Sequence, residues 1–143
     1  MAIKRKIDPK QGKDALIAVL QTGYLTPDQD LSAEASPVAK PARQLLATAV
    51  RFSLEDFADL NPGGAVEIRV PPYGVAQAIT GVKHTRGTPP AVVETDAKTW
   101  LQLVTGKINW DSAVKSGQVE ASGERSNLSE YLPHLKRLEG MAK

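Results

Sequence analysis

The segment AVVETDAKTWLQLVTGKINWDSAVKSGQVEASG, residues 91–123, does most to limit the folds open to this chain. It reads as strand, helix, helix, strand, and each piece carries its own stop. Residues 91–95 are rich enough in valine and threonine for a strand. Thr95 or Asp96 then supplies a helix N-cap, Trp100, Leu101 and Val104 form one apolar helical face, and Gly106 ends the helix. Asn109 caps a second short helix carrying Trp110, Ala113 and Val114, which Gly117 ends, and residues 118–122 make a short strand. A unit of this size cannot close a core alone. It needs more sheet and a covering helix from elsewhere in the chain.

Both are present in the pattern. From Val38 onward, Leu46, Val50, Phe57 and Leu60 recur at helical spacing with Ala49 and Phe52 alongside, until Asn61-Pro62-Gly63-Gly64 stops the helix. Ser53 followed by Asp56 resembles a weak capping box, which predicts a break near Phe52 into two helices. The period then falls to two. Val66, Ile68 and Val70 point one way, Glu67 and Arg69 the other, Pro71-Pro72-Tyr73-Gly74 turns the chain, and Val75, Gln77 and Ile79 alternate on the way back. This is an antiparallel hairpin with one solvated face. Residues 81–90, GVKHTRGTPP, hold two glycines and two prolines and cannot be a regular strand for long. At the far end, Leu128, Tyr131, Leu132, Leu135 and Leu138 share a helical face, and Pro133 predicts a kink or two short helical pieces.

Ahead of this domain, residues 8–20 form a short helix with Asp8 as N-cap, Pro9 at the first helical position and Leu16, Val19 and Leu20 on one face. Residues 21–37 have no apolar period and read as a linker. The expected organisation is a basic tail, short helix and linker over 1–37, then one domain over 38–143. Its class is α+β, a mostly antiparallel sheet with helices on one face and an extra N-terminal helix.

Composition excludes several functions. The absence of cysteine rules out disulfides, thiolate catalysis and Cys-ligated zinc. A net charge of +2, with basic residues scattered rather than striped, gives no expectation of nucleic acid. The N-terminal Lys4, Arg5, Lys6, Lys10 and Lys13 leave two readings open, a solvated tail on a docked helix or transient contact with an anionic membrane surface. The apolar run at 15–20 is too short for a signal core or a membrane span, so the expectation is a soluble, cytoplasmic protein. No phosphate-binding glycine loop, dinucleotide fingerprint or nucleophile elbow occurs. His84 and His134 have no spaced acidic partners, so no metal, cofactor or catalytic residue is assigned.

Two constellations remain. Lys83, His84 and Arg86, with Thr85 and Thr88, form a polar cluster in which His84 and Arg86 would hold an anionic head group; the alternative is a solvated connection whose arginine pairs with Glu94 or Asp96. Phe52, Phe57, Trp100, Leu101, Val104, Trp110, Leu128, Tyr131 and Leu132 are either plain core or the lining of an apolar pocket.

The block W-L-x-L-x-T-G-K, N-W-D-x-A-V-K-S-G, strand and G-E resembles the C-terminal half of sterol carrier protein 2 (SCP2-like) domains, through Asp96, Leu101, Leu103, Thr105, Gly106, Lys107, Ala113, Gly117, Val119 and Gly123. The stretch containing PPYG and HTRGTPP is similar to small actinobacterial sterol carrier family proteins. The resemblance implies a five-stranded, largely antiparallel sheet covered by helices around an apolar tunnel. It also implies a non-enzymatic protein that binds a lipid or other apolar small molecule, with an acyl or isoprenoid chain between sheet and helices. Two alternatives stand beside it: an accessory domain to a thiol-dependent isomerase or transferase working through the His84 and Arg86 loop, or a ligand-free interaction module with a filled core.

Overall fold

A three-residue turn sets the register of the sheet. In the computed structural model, which describes residues 6–27, 38–81 and 91–142, strands β1 (Val66–Val70) and β2 (Gly74–Ala78) pair antiparallel with Val70 opposite Gly74. That parity sets Ala76 against Ile68 and Ala78 against Val66 on the inner face. Of the alternating set Val75, Gln77 and Ile79, Val75 is 60% exposed while Ile79, beyond the strand, is buried. Alternation alone gives the period and not the phase, because the turn length decides which parity faces the core.

β2 finishes where β1 began, and β3 (Ala91–Thr95) starts at that same end, with Ala91 beside Val66; β1 and β3 therefore run parallel. β4 (Val119–Ser122) closes antiparallel on β3, Val119 opposite Thr95. Among the described residues the sheet is four-stranded and mixed, in the order β2-β1-β3-β4. The α+β class stands, but the five largely antiparallel strands are corrected to four with one parallel pair. Strand patterns carry no record of which neighbour each strand finds, and the parallel pairing follows from where β2 ends. His84 and Arg86 lie outside the described residues.

Between β3 and β4 the punctuation works as read. Asp96 caps α3 (Ala97–Thr105) by accepting from Thr99 N at 2.8 Å, and Gly106 ends it in the left-handed region at φ 84°. Asn109 caps α4 (Trp110–Lys115) through Ser112 N at 2.8 Å.

The long helix α2 (Arg43–Leu60) runs unbroken past Phe52. Ser53 does not cap a second helix: its hydroxyl donates back to Val50 O at 2.8 Å inside the first, a bond a helix interior accommodates without stopping. Helix α1 (Pro9–Gln21), capped by Asp8, crosses α2 so closely that a Cβ on Gly12 would stand 2.3 Å from Phe52 Cγ. Leu16 and Val19 of α1 and Leu25 beyond it are all but fully buried in the same core as the sheet. The segment read as a linker therefore contributes packing at Leu25, whose carbonyl also accepts from Gln102 Nε2 at 3.1 Å.

The leucine-rich C-terminus is not one helix. Only α5 (Arg137–Met141) follows β4 among the described residues, and 124–136 is a run of turns. Pro133 has no N–H to donate and clashes with a preceding helical turn, so the chain binds α3 instead, Leu135 N donating to Val104 O at 2.9 Å. Leu128, Leu135 and Leu138 are buried all the same. No helix among the described residues is long and apolar enough to cross a membrane.

Candidate functional site

The nine apolar residues named from the sequence divide into three groups. Phe57 is the hub of the first: its ring meets Trp100 at 5.9 Å, Tyr131 at 6.2 Å and His134 at 5.2 Å between centroids, each edge to face. This is the favoured geometry for aromatic quadrupoles. Leu101, Val104 and Leu128 are fully buried in the same core. Phe52 belongs elsewhere, turned toward Gly12 at the crossing of α1 and α2. Trp110 and Leu132 line a cleft of about 240 Å³ with Leu103, Ile108, Pro133 and Lys136, between α3, α4 and the terminal turns. Tyr131 and Leu132 are half-buried.

Sequence reading missed the polar centre of this cluster. Trp100 Nε1 donates to Ser53 Oγ at 2.8 Å, which satisfies the buried indole. His134 Nε2 lies 3.1 Å from the main-chain oxygen of Ser53. A carbonyl only accepts, so that nitrogen carries the proton, and Nδ1 is left buried without a hydrogen-bond partner among the described residues. Burial, the largest cause, lowers the His134 pKa from 6.5 to about 4; Arg137 pushes the same way, while Asp56 and the Ser53 carbonyl oppose. His134 Nε2 and Asp56 Oδ2 are 3.9 Å apart, yet a ring neutral at pH 7 makes no ion pair there. The ring faces Ser53 O rather than Ser53 Oγ, and Oγ already donates to Val50 O, so the pair is not an activated nucleophile. No spacing rule links residues 81 apart, and only the fold brings them together.

A second concave feature lies on the other flank of α2. A groove of about 560 Å³ separates α2 from β2. Arg51, Leu54, Glu55 and Ala58 line it from one face of the helix, Tyr73 to Gln77 from the hairpin, and Lys6 from the N-terminal segment. Arg51 Nε donates to Tyr73 O at 2.8 Å. The Glu55 carboxylate accepts from the main-chain N–H of Lys6 at 2.7 Å and of Ile7 at 3.0 Å. None of the described residues singled out as a site from the sequence lines this groove; the signal was there only as the tight PPYG turn and the polar Arg51 and Glu55 one helical turn apart. Among the described residues no group of three His, Asp or Glu side chains is arranged to hold a metal ion.

No curated protein matches the chain. The protein family described as bacterial SCP ortholog matches residues 42–134, about two-thirds of the sequence. The match opens at the N-cap of α2, takes in the whole sheet with α3 and α4, and closes on His134. It thus spans both the aromatic cluster and most of the groove, and leaves α1 and α5 as additions at either end. With that match over the elements that build the core, the chain belongs to the bacterial SCP ortholog family and is an SCP2-like protein.

Proposed function

We propose that this protein is a non-enzymatic lipid carrier that takes an acyl or isoprenoid chain between the sheet and the helices, beneath the terminal turns. The family supports a lipid-carrier-type role. The observation that carries the finer reading is the pair Phe57 and Trp100 beside residues 124–136, a stretch without helix or strand that sets its own Tyr131 against Phe57. Such a cover breaks few main-chain hydrogen bonds when it moves, and segments of this kind sit at the low-stability end of a fold. The cleft at Trp110 and Leu132, about 240 Å³, is the entrance. Ligand pockets usually hold about 300–1,000 Å³, so binding requires the cover to swing outward and the aromatic cluster to part. Burying the chain then supplies about 25 cal/mol for each Å² removed from water.

The test is native mass spectrometry of protein purified without detergent, followed by lipid extraction, and titration of tryptophan emission with fatty acid. Bound lipid and a saturable emission change are expected, and both should disappear in Leu132→Arg while circular dichroism stays native. A lipid-free protein whose emission ignores added fatty acid overturns the reading. The closed packing of the same rings favours a second one, an interaction module with a filled core that works through its surface.

A further inference from the structure

Among the described residues β2 is an edge strand, with β1 on one side only. Its residues, Gly74-Val75-Ala76-Gln77-Ala78, include no charge and no proline. Folded proteins normally blunt an open edge with such residues, because its alternate main-chain N–H and C=O groups are a template for another strand. The opposite edge, β4, is blunted by Glu120. The groove of about 560 Å³ runs along the open side of β2, with Leu54 and Ala58 of α2 as its apolar wall. At its turn end Arg51 is fixed through Nε on Tyr73 O, and Lys6, whose main-chain N–H is on Glu55, also lines the groove. Among the described residues neither side chain has a carboxylate partner, whereas Glu55, the acid in the groove, is occupied by two main-chain N–H groups. An apolar chain in this groove would strip water from the strand's amides and return no hydrogen bond. A peptide strand would pair with them.

We propose that the groove between β2 and α2 binds an extended peptide segment of a partner protein, which adds a strand to the β2 edge, sets a small apolar side chain against Leu54 and Ala58, and seats a carboxylate on Arg51 and Lys6. This mode of recognition draws affinity from main-chain pairing and specificity from the flanking wall and charges. It is independent of lipid binding under the terminal turns, which lie on the other flank of α2.

The ¹⁵N-labelled full chain is titrated with pools of hexapeptides, one ending in a free carboxylate, one amidated with an internal Asp or Glu, and one amidated without acids. Acidic pools should shift the amides of residues 74–78 and the acid-free pool should not; which acidic pool binds distinguishes a chain terminus from an acidic side chain. N-methylation of alternate peptide amides should weaken binding about tenfold, and Arg51→Gln about tenfold, the loss of a charge-assisted contact. The methylated probes leave the protein unaltered, so the result does not depend on how the variant folds. Silence of every pool to about 1 mM, the limit of useful affinity, overturns the proposal. So does a dimer forming through the same amides without peptide, which assigns the edge to a second copy. So does a shift produced by decanoate alone, which gives the groove to an acyl chain.

Discussion

Acid should loosen this protein through one residue. The His134 side chain is 4% exposed, wedged against Phe57 at 5.2 Å, and its Nε2–H is committed to Ser53 O. Its pKa is lowered from 6.5 to about 4 because burial outweighs the pull of Asp56, 3.9 Å away. In the unfolded chain the ring takes a proton near pH 6.5; in the folded one it does not until about pH 4. Between those values the unfolded state binds the extra proton, so stability rises with pH. The contribution is complete above pH 6.5 and is lost as pH falls toward 4, at about 1.4 kcal/mol per unit. The loss is about 2 kcal/mol at pH 5 and about 3 kcal/mol in all, against a total stability of about 5–15 kcal/mol for a domain. Urea unfolding followed by tryptophan emission at pH 7.5, 6 and 5 measures it, with His134→Phe as the comparison. Phenylalanine keeps the edge-to-face ring and removes the titration, so it should gain about 2 kcal/mol on the native protein between pH 7.5 and pH 5, or about 6 °C in melting temperature. His84, present in both proteins, cancels in the difference. Parallel stability curves for the two proteins across that range would refute the reasoning.

Two further substitutions test the packing. Gly12→Ala should gain nothing from its better helix propensity, because the new Cβ would lie 2.3 Å from Phe52 Cγ and 2.4 Å from its Cβ, atoms too near the backbone to yield. A net loss of about 2 kcal/mol in urea unfolding is expected, while Gly140→Ala in α5, with nothing within 4 Å, should be neutral or gain a few tenths of a kcal/mol. Ser53→Ala removes the acceptor for Trp100 Nε1 at a site with no exposure and should cost about 1–3 kcal/mol, and a change under about 0.5 kcal/mol would mean that the indole finds another partner.

Much of the local structure was legible. Asp8, Asp96 and Asn109 cap the helices they were expected to cap, and Gly106 ends α3 left-handed, because a cap is a contact between residues three or four apart. Elsewhere the outcome differs from the pattern, and at Pro133 the expected break removes the earlier helical piece altogether. Val75 faces out because a turn length set the parity; α2 continues past Ser53 because that hydroxyl turned to Val50 and received Trp100; and the terminal helix shrank to α5 because Pro133 sent the main chain to Val104. Trp100 and Val104 are partners far away in sequence, whereas the parity of β2 rests on the length of the turn beside it.

The same division runs through the candidate site. The sequence by itself determined the strand-helix-helix-strand block at 91–123, the apolar inventory of the core, the absence of cysteine chemistry and the motifs of an SCP2-like protein. All of these rest on residue type and short spacing. Only the tertiary structure decided that Phe57, Trp100, Tyr131 and His134 share one cluster, that Ser53 serves it, and that an uncharged edge strand faces Arg51 across a groove. Those are contacts between α2, the hairpin and the terminal turns, elements whose mutual placement is fixed by how the whole apolar surface is buried at once, and no short window of sequence carries that information.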